Sequence, residues 1–491
     1  MAAPLATNDP VSSPDSASGE ILSSLSSIGL CIAAIVATLA DSEGTRVASA
    51  ILFLVFLIFN RRYFGLREGL LVALSLLITG IAVWVLGEDV LQPVIFDLNR
   101  ATYLCAFIML MTSLRYGAMS SDAVLAIGRY MTGQTTGRRY FSLHVGGHFM
   151  GVLLNFGAIS LLGPLIKRGV DSKAHEVSPL LSALRLRRQI SALCRGFSWF
   201  NLWAPTSIAL AVVLTTVPGS QPGIIALSGM IIALIMLLVG WTEDRYFGAR
   251  IRRRMESEGT LFGRTPAPDF PRFELLRFLG VAFSLLALAW FIHTAFHVSL
   301  AAGIMMAAVP TSIVWIVVQW MLRGDHSATK LTSRIGWLFR RTLPEGSPEA
   351  ATLGLAGYMG LLGAKLVDRD WIVGAADLDG SNPAIVCIAV TAIIPLASCL
   401  GLPPMMTVTF LGGLLASIPE LSINPTVLGM SLLVGWSLNL TGSPFAATSL
   451  ILSRVIGVST IDYAWRWNGV FTLLSWAVVA SVIYVLTGLL N

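Results

Sequence analysis

Two stretches decide the reading of this chain: Ser198-Trp199-Phe200-Asn201-Leu202-Trp203-Ala204-Pro205-Thr206-Ser207 and Gly435-Trp436-Ser437-Leu438-Asn439-Leu440-Thr441-Gly442-Ser443-Pro444. Each places a Trp, an Asn-Leu pair and a small, polar, proline-containing segment inside otherwise apolar sequence. Proline removes a helix hydrogen bond and clashes with the preceding turn, so each stretch predicts a broken helix. Lipid tolerates such breaks only where the freed backbone groups line a cavity or are buried in protein. Two matched breaks, one in each half of the chain, point to the binding site of a secondary transporter.

Composition sets the class. Of 491 residues, 55% are hydrophobic and 12% charged, and mean hydropathy is +0.76; a soluble chain carries roughly 25% charge. The reading is an all-α polytopic membrane protein. The formal charge of +6 predicts no nucleic-acid partner, because the basic residues sit in short loops between apolar runs. The five cysteines (Cys31, Cys105, Cys194, Cys387 and Cys399) fall singly in apolar segments, without disulfide or zinc spacing. Residues 1–20 are polar and lack Lys and Arg, which predicts a disordered cytoplasmic tail. No phosphate-binding loop is present, so ATP drive within the chain is not expected.

Apolar spans are predicted at 21–40, 46–60, 69–87, 99–118, 186–215, 222–241, 274–294, 299–322, 349–367, 426–452 and 466–489. Two further runs, 141–167 and 383–418, are interrupted at Asn155-Phe156-Gly157 and at Gly401-Leu402-Pro403-Pro404. They predict re-entrant hairpins. Short amphipathic surface helices are expected at 119–137 and 327–342.

Basic loops mark the cytoplasmic side. Arg61, Arg62 and Arg67 follow the second span, the first hairpin is flanked by Arg138, Arg139, Lys167 and Arg168, and the segment 242–273 is Arg-rich. The opposite loops are acidic or neutral, with Glu88, Asp89, Asp97 and Asp368. The N-terminus is then inside and the C-terminus outside, with about eleven spans of ~20 residues between them. Two halves, 46–241 and 274–491, joined by the linker 242–273, repeat the same element order in opposite orientation after an extra N-terminal span at 21–40. Basic inner loops fit a bacterial inner membrane.

This layout resembles the ion transporter superfamily, which includes divalent anion/sodium symporters and arsenite and citrate permeases. Leu154-Asn155-Phe156-Gly157-Ala158-Ile159-Ser160, ending at Gly163-Pro164, is similar to that family's Asn-containing hairpin followed by a proline. The dicarboxylate symporters carry Ser-Asn-Thr at both tips, whereas this chain has Asn-Phe-Gly and Gly-Leu-Pro-Pro. The resemblance implies a substrate near the midplane between hairpin tips and broken spans, a scaffold that forms a homodimer, and a transport part moving past it like an elevator.

Half-helix N-termini offer free N–H groups to an anion, and half-helix C-termini offer carbonyls to a cation. The expected substrate-binding residues are Asn155, Gly157, Ser160, Asn201, Thr206 and Ser207 from one half and Thr407, Asn439, Thr441, Gly442, Ser443 and Thr448 from the other. Sodium is expected near Asn155, Asn201 and Asn439. Arg195 lies seven residues beyond Arg188 and is a candidate for holding a substrate carboxylate, or a snorkelling side chain. No Asp or Glu falls in the middle of a predicted span or hairpin, all lying near span ends or in loops, which favours Na⁺ over a carboxylate-borne proton. His144 and His148 have metal-compatible i, i+4 spacing but no third ligand, and read as hydrogen-bonded interior histidines.

The expected function is sodium-coupled secondary transport of a small organic anion, with no cofactor and no enzymatic activity. The competing readings are a proton-coupled transporter, an exporter of another solute, and a membrane-embedded polysaccharide-processing enzyme. Outer loops of about 5–15 residues leave little room for the last.

Overall fold

The computed structural model describes residues 14–172, 178–257, 268–324, 327–368, 374 and 382–490. Among them the regular structure is entirely helical. The first five helices are α1 (Pro14–Ala40), α2 (Glu43–Asn60), α3 (Leu66–Leu86), α4 (Leu91–Met119) and α5 (Asp122–Thr132). The interrupted run follows as α6 (Thr136–Leu154) and α7 (Gly157–Asp171), and the first broken span as α8 (Pro179–Trp199) and α9 (Ile208–Thr216). Then come α10 (Pro222–Ser257), α11 (Arg272–Phe296), α12 (Leu300–Leu322), α13 (Ala328–Trp337) and α14 (Ser347–Leu366). The second interrupted run is α15 (Pro383–Cys399) and α16 (Pro404–Leu415), the second broken span is α17 (Pro425–Gly442) and α18 (Ala447–Ile456), and α19 (Gly469–Leu490) closes the chain.

Several starts share one device. Ser178-Pro179, Asn382-Pro383 and Asn424-Pro425 each place a capping side chain before a proline at the first helical position. The cap oxygen satisfies an orphan N–H, and proline's missing donor is not needed there. Turn chemistry thus fixes these three starts alongside hydropathy.

Among the described residues, seven helical stretches are long and apolar enough to cross a membrane, one of them the 54-residue run Leu66–Met119 that holds α3 and α4. The chain is a multi-pass membrane protein. The count is lower than about eleven spans of ~20 residues partly because both broken spans divide: α9 and α18 have only 9 and 10 residues, and the 21-residue α8 carries Arg185, Arg187, Arg188 and Arg195. The amphipathic segments expected at 119–137 and 327–342 are the helices α5 and α13.

Two boundaries and two acidic residues differ from the sequence reading. Helix α1 begins at Pro14, inside the segment expected to be disordered, while residues 1–13 lie outside the described ones. Helix α10 continues to Ser257, well into the expected linker, of which 258–267 lie outside the described residues. Two acids expected in loops are helical and buried: Asp97 in α4 binds Lys365 Nζ through both oxygens, at 2.9 and 2.8 Å, and Glu243 in α10 pairs with Arg195. Their partners come from distant segments, so no apolar-run boundary reveals them.

The packing is reciprocal. Arms α6 and α7 touch each other and both pack on α8, as α15 and α16 pack on each other and on α17. Helix α9 packs on α16 of the opposite half, and α18 packs on α7. The broken span α17 contacts α8, α9 and the turn Phe200–Leu202, which brings the two breaks together.

Candidate functional site

At the first hairpin tip Asn155 takes φ +49°, a region closed to most side chains and tolerated best by Gly and Asn. Its N–H donates to Gly151 O at 2.8 Å and its carbonyl accepts from Ala158 N–H at 3.0 Å, so one residue ends α6 and starts α7. Ser160 is half-buried and donates to Phe156 O at 3.2 Å. Gly157 is crowded by Arg115 of α4: a Cβ there would lie 2.9 Å from Arg115 Cγ. Arg115, near the end of its predicted span 99–118, reaches the hairpin tip, with Glu349 within electrostatic reach and no hydrogen bond among the described residues. Its lack of a nearby acid in sequence hides this role.

The second tip is built differently. Gly401 supplies the turn with φ +92°, and Leu400 and Leu402 are 85% and 44% exposed. Thr407, one turn into α16, is buried and its Oγ1 has no hydrogen-bond partner.

At the first break the asparagine, serine and threonine side chains are satisfied from within the protein. Ser207 caps α9 and donates its hydroxyl to Asn201 Oδ1 at 3.0 Å. Thr206 donates to Val152 O on α6, tying the break to the first hairpin. Trp203 Nε1 donates to His148 Nε2 at 2.8 Å, and the other ring nitrogen of His148 lies 2.9 Å from Gly196 O. That bonding fixes His148 as a neutral Nδ1–H tautomer with no lone pair left for a metal. His144 is also interior, 3.5 Å from Tyr140 Oη.

In the second break, backbone carbonyls and hydroxyls form a dense net. Ser443 N–H donates to Asn439 O at 3.0 Å, and its hydroxyl accepts from Ser398 at 3.0 Å and from Phe445 N–H at 3.2 Å. Thr448 donates to Leu440 O, and Thr441 Oγ1 lies 3.0 Å from Thr472 Oγ1. Gly442 O accepts from Trp465 Nε1 at 3.2 Å, and a Cβ on Gly442 would sit 2.9 Å from Thr472 Cγ2.

Asn439 stands apart. Its side chain is fully buried, and neither Oδ1 nor Nδ2 has a partner. The other buried asparagines among the described residues are all bonded. Asn60 donates to Ser26 Oγ and Phe56 O, Asn201 accepts from Ser207, and Asn468 accepts from Arg195 and donates to Tyr463 O. Ser437 Oγ on the same helix and Trp199 Nε1 at the end of α8 are likewise buried and unpartnered. Buried polar atoms are nearly always paired, and an unpaired amide costs about 1–3 kcal/mol per group.

Arg195 is not presented to the breaks as a free cation. It is buried and ion-paired with Glu243. It donates to Asn468 Oδ1 at 3.0 Å and to Trp467 O at 3.2 Å, and it lies over the Phe471 ring at 4.5 Å. These contacts stitch α8 and α10 to the start of α19. Among the described residues no group of three or more His, Cys, Asp or Glu is arranged to hold a metal ion.

No protein-family model matches the chain, and no curated protein matches it by sequence. Among solved structures, it is similar to the YdaH transporter of Alcanivorax borkumensis, described as having an unusual topology, with TM-score 0.48 and 14% identity over 85% of this chain and 98% of that one. It is also similar to MtrF of Neisseria gonorrhoeae, of a class of antimetabolite efflux pumps, with TM-score 0.49 and 12% identity over 89% of this chain and 98% of that one. Both are transport proteins rather than enzymes.

Proposed function

We propose that this chain is a secondary active transporter, coupled to sodium and carrying a small organic anion. The observation that carries the reading is Asn439: an amide buried at a helix break, with both polar atoms unmet, in a molecule whose other buried asparagines are bonded. A desolvated, unpaired amide is retained where a ligand completes it. Thr407 Oγ1 and Ser437 Oγ, on helices packed against each other, add neutral oxygens of the kind Na⁺ takes. Asn155 and Asn201 complete the proposed ion and substrate region, with Gly157, Ser160, Thr206, Ser207, Thr441, Gly442, Ser443 and Thr448 shaping its walls.

The anion's charge is met by Arg115 at the first hairpin tip in this reading, since Arg195 is committed to Glu243. The reciprocal packing of α9 on α16 and α18 on α7 supports two inverted repeats and a transport unit that shifts against a dimeric scaffold. The proposed membrane is the bacterial inner membrane, N-terminus inside and C-terminus outside.

One observation favours a second coupling mode. Glu243 is a buried acid within α10, contrary to the expectation of none, and buried acids serve as proton carriers in transporters. Proteoliposome uptake of a panel of labelled organic anions separates the two modes. The sodium reading expects uptake under an inward Na⁺ gradient that vanishes with choline and with Asn439→Leu. Uptake driven by a pH gradient without Na⁺, and abolished by Glu243→Gln, would replace it with proton coupling. No uptake of any anion under either gradient would contradict the anion reading.

A further inference from the structure

A small, open cleft of about 30 Å³ lies between α6, α8 and α10, and no residue of either helix break lines it. Its walls carry Arg139, Arg185, Arg188, Gln189 and a single acid, Asp244. Asp244 is held by Arg188, with its two oxygens 2.8 and 2.7 Å from Nε and Nη2. Arg139 donates Nε to Gln134 O at 2.8 Å, which fixes its stem and leaves both terminal nitrogens unused. Arg185 is half-buried and has no hydrogen-bond or ion-pair partner among the described residues.

Like charges gathered around one partly desolvated cleft repel each other, and Asp244 answers Arg188 alone, so Arg139 and Arg185 favour a further counter-anion. Guanidinium forks match the tetrahedral oxygens of phosphate in geometry and charge. Asp244 sits on the same stretch of α10 as Trp241, over which Arg245 stacks at 4.5 Å, and as Tyr246 and Phe247, which are 63% and 40% exposed. Aromatic side chains of this kind sit at headgroup level, and basic pockets between helices take anionic headgroups.

We propose that this cleft binds a phosphate group, whether carried by an anionic phospholipid or free in solution. The site is separate from the proposed transport pathway and stands without it. The test is the thermal unfolding midpoint of the full-length protein in neutral detergent, titrated with phosphatidylglycerol, phosphatidylcholine or inorganic phosphate. Wild type is compared with Arg139→Gln/Arg185→Gln and with the exposed pair Arg61→Gln/Arg67→Gln.

Stabilisation by phosphatidylglycerol and not by phosphatidylcholine or inorganic phosphate assigns a lipid source; the same shift with inorganic phosphate alone assigns a soluble one. Each basic side chain adds roughly fivefold to such binding, so the cleft variant should need about 30-fold more ligand. The exposed pair should behave as wild type. If the double variant does not fold, Arg185→Gln alone, which removes no protein contact, should need about fivefold more. No stabilisation of wild type by either phosphate source, or cleft variants that respond as wild type does, would overturn the proposal.

Discussion

The two broken helices have the same sequence logic and opposite hydrogen-bond balance. In α8–α9 the asparagine is answered from within, Ser207 to Asn201, and Thr206 and Trp203 anchor the break to α6. In α17–α18 the backbone and hydroxyls are netted together while Asn439 is left with nothing. The asparagine of the first break is therefore structurally committed, with the Trp199 Nε1 donor unmet beside it, while the second break carries the unmet amide at which a ligand changes the energy. The hairpins differ in parallel. Helix α16 lies against α14 at backbone distance, where a Cβ on Gly360 would come within 2.6 Å of Met406 O. The first hairpin meets α4 through the long, flexible side chain of Arg115.

The largest expected effect breaks the comparison at its foundation. Arg195→Ala strands Glu243 as an unpaired buried charge and should cost about 3–5 kcal/mol, seen as loss of folded protein by size-exclusion chromatography. Pairing it with Glu243→Gln should recover part of that loss. Next is the glycine contrast. A Cβ on Gly196 would fall 1.9 Å from His144 O, whereas one on Gly435 would meet the movable Ile394 Cδ1 at 2.5 Å. Gly196→Ala should lower the unfolding midpoint by the equivalent of about 3 kcal/mol, and Gly435→Ala by about 1 kcal/mol.

The asparagines then sharpen the contrast directly. Asn201→Leu should destabilise by about 1–2 kcal/mol because Ser207 loses its acceptor, while Asn439→Leu should stabilise the ligand-free protein by about 1–3 kcal/mol by removing two unmet polar atoms. Smallest in stability is Arg115→Gln, within ~0.5 kcal/mol of wild type, as for a side chain outside any bonded network. Its effect should appear in anion affinity.

Much of this architecture is legible in the residues. Hydropathy located the long apolar helices, and both hairpin tips and both breaks fall where Asn155, Gly401, Pro205 and Pro444 interrupt apolar runs. What stayed hidden depends on contacts across the chain. Asp97 looks like a loop acid until Lys365, far along the sequence, is seen beside it. Glu243 follows an apolar run and reads as linker, because nothing local shows that α10 continues or that Arg195 faces it. The candidate site shows the same division: the two asparagines were both visible as motif positions, but which one is satisfied is decided by a serine's position in three dimensions. Arg115, the cation at the hairpin tip, has no motif at all.

The most direct test of the central claim is ligand-induced thermal stabilisation of wild type and Asn439→Leu, across a panel of organic anions with Na⁺ or with choline. The account predicts an anion that stabilises wild type only when Na⁺ is present, and a variant that is more stable without ligand yet gains nothing from the pair. A variant that responds as wild type does, or a wild type that responds to no anion with Na⁺, would contradict the assignment of Asn439 as the ligand's partner.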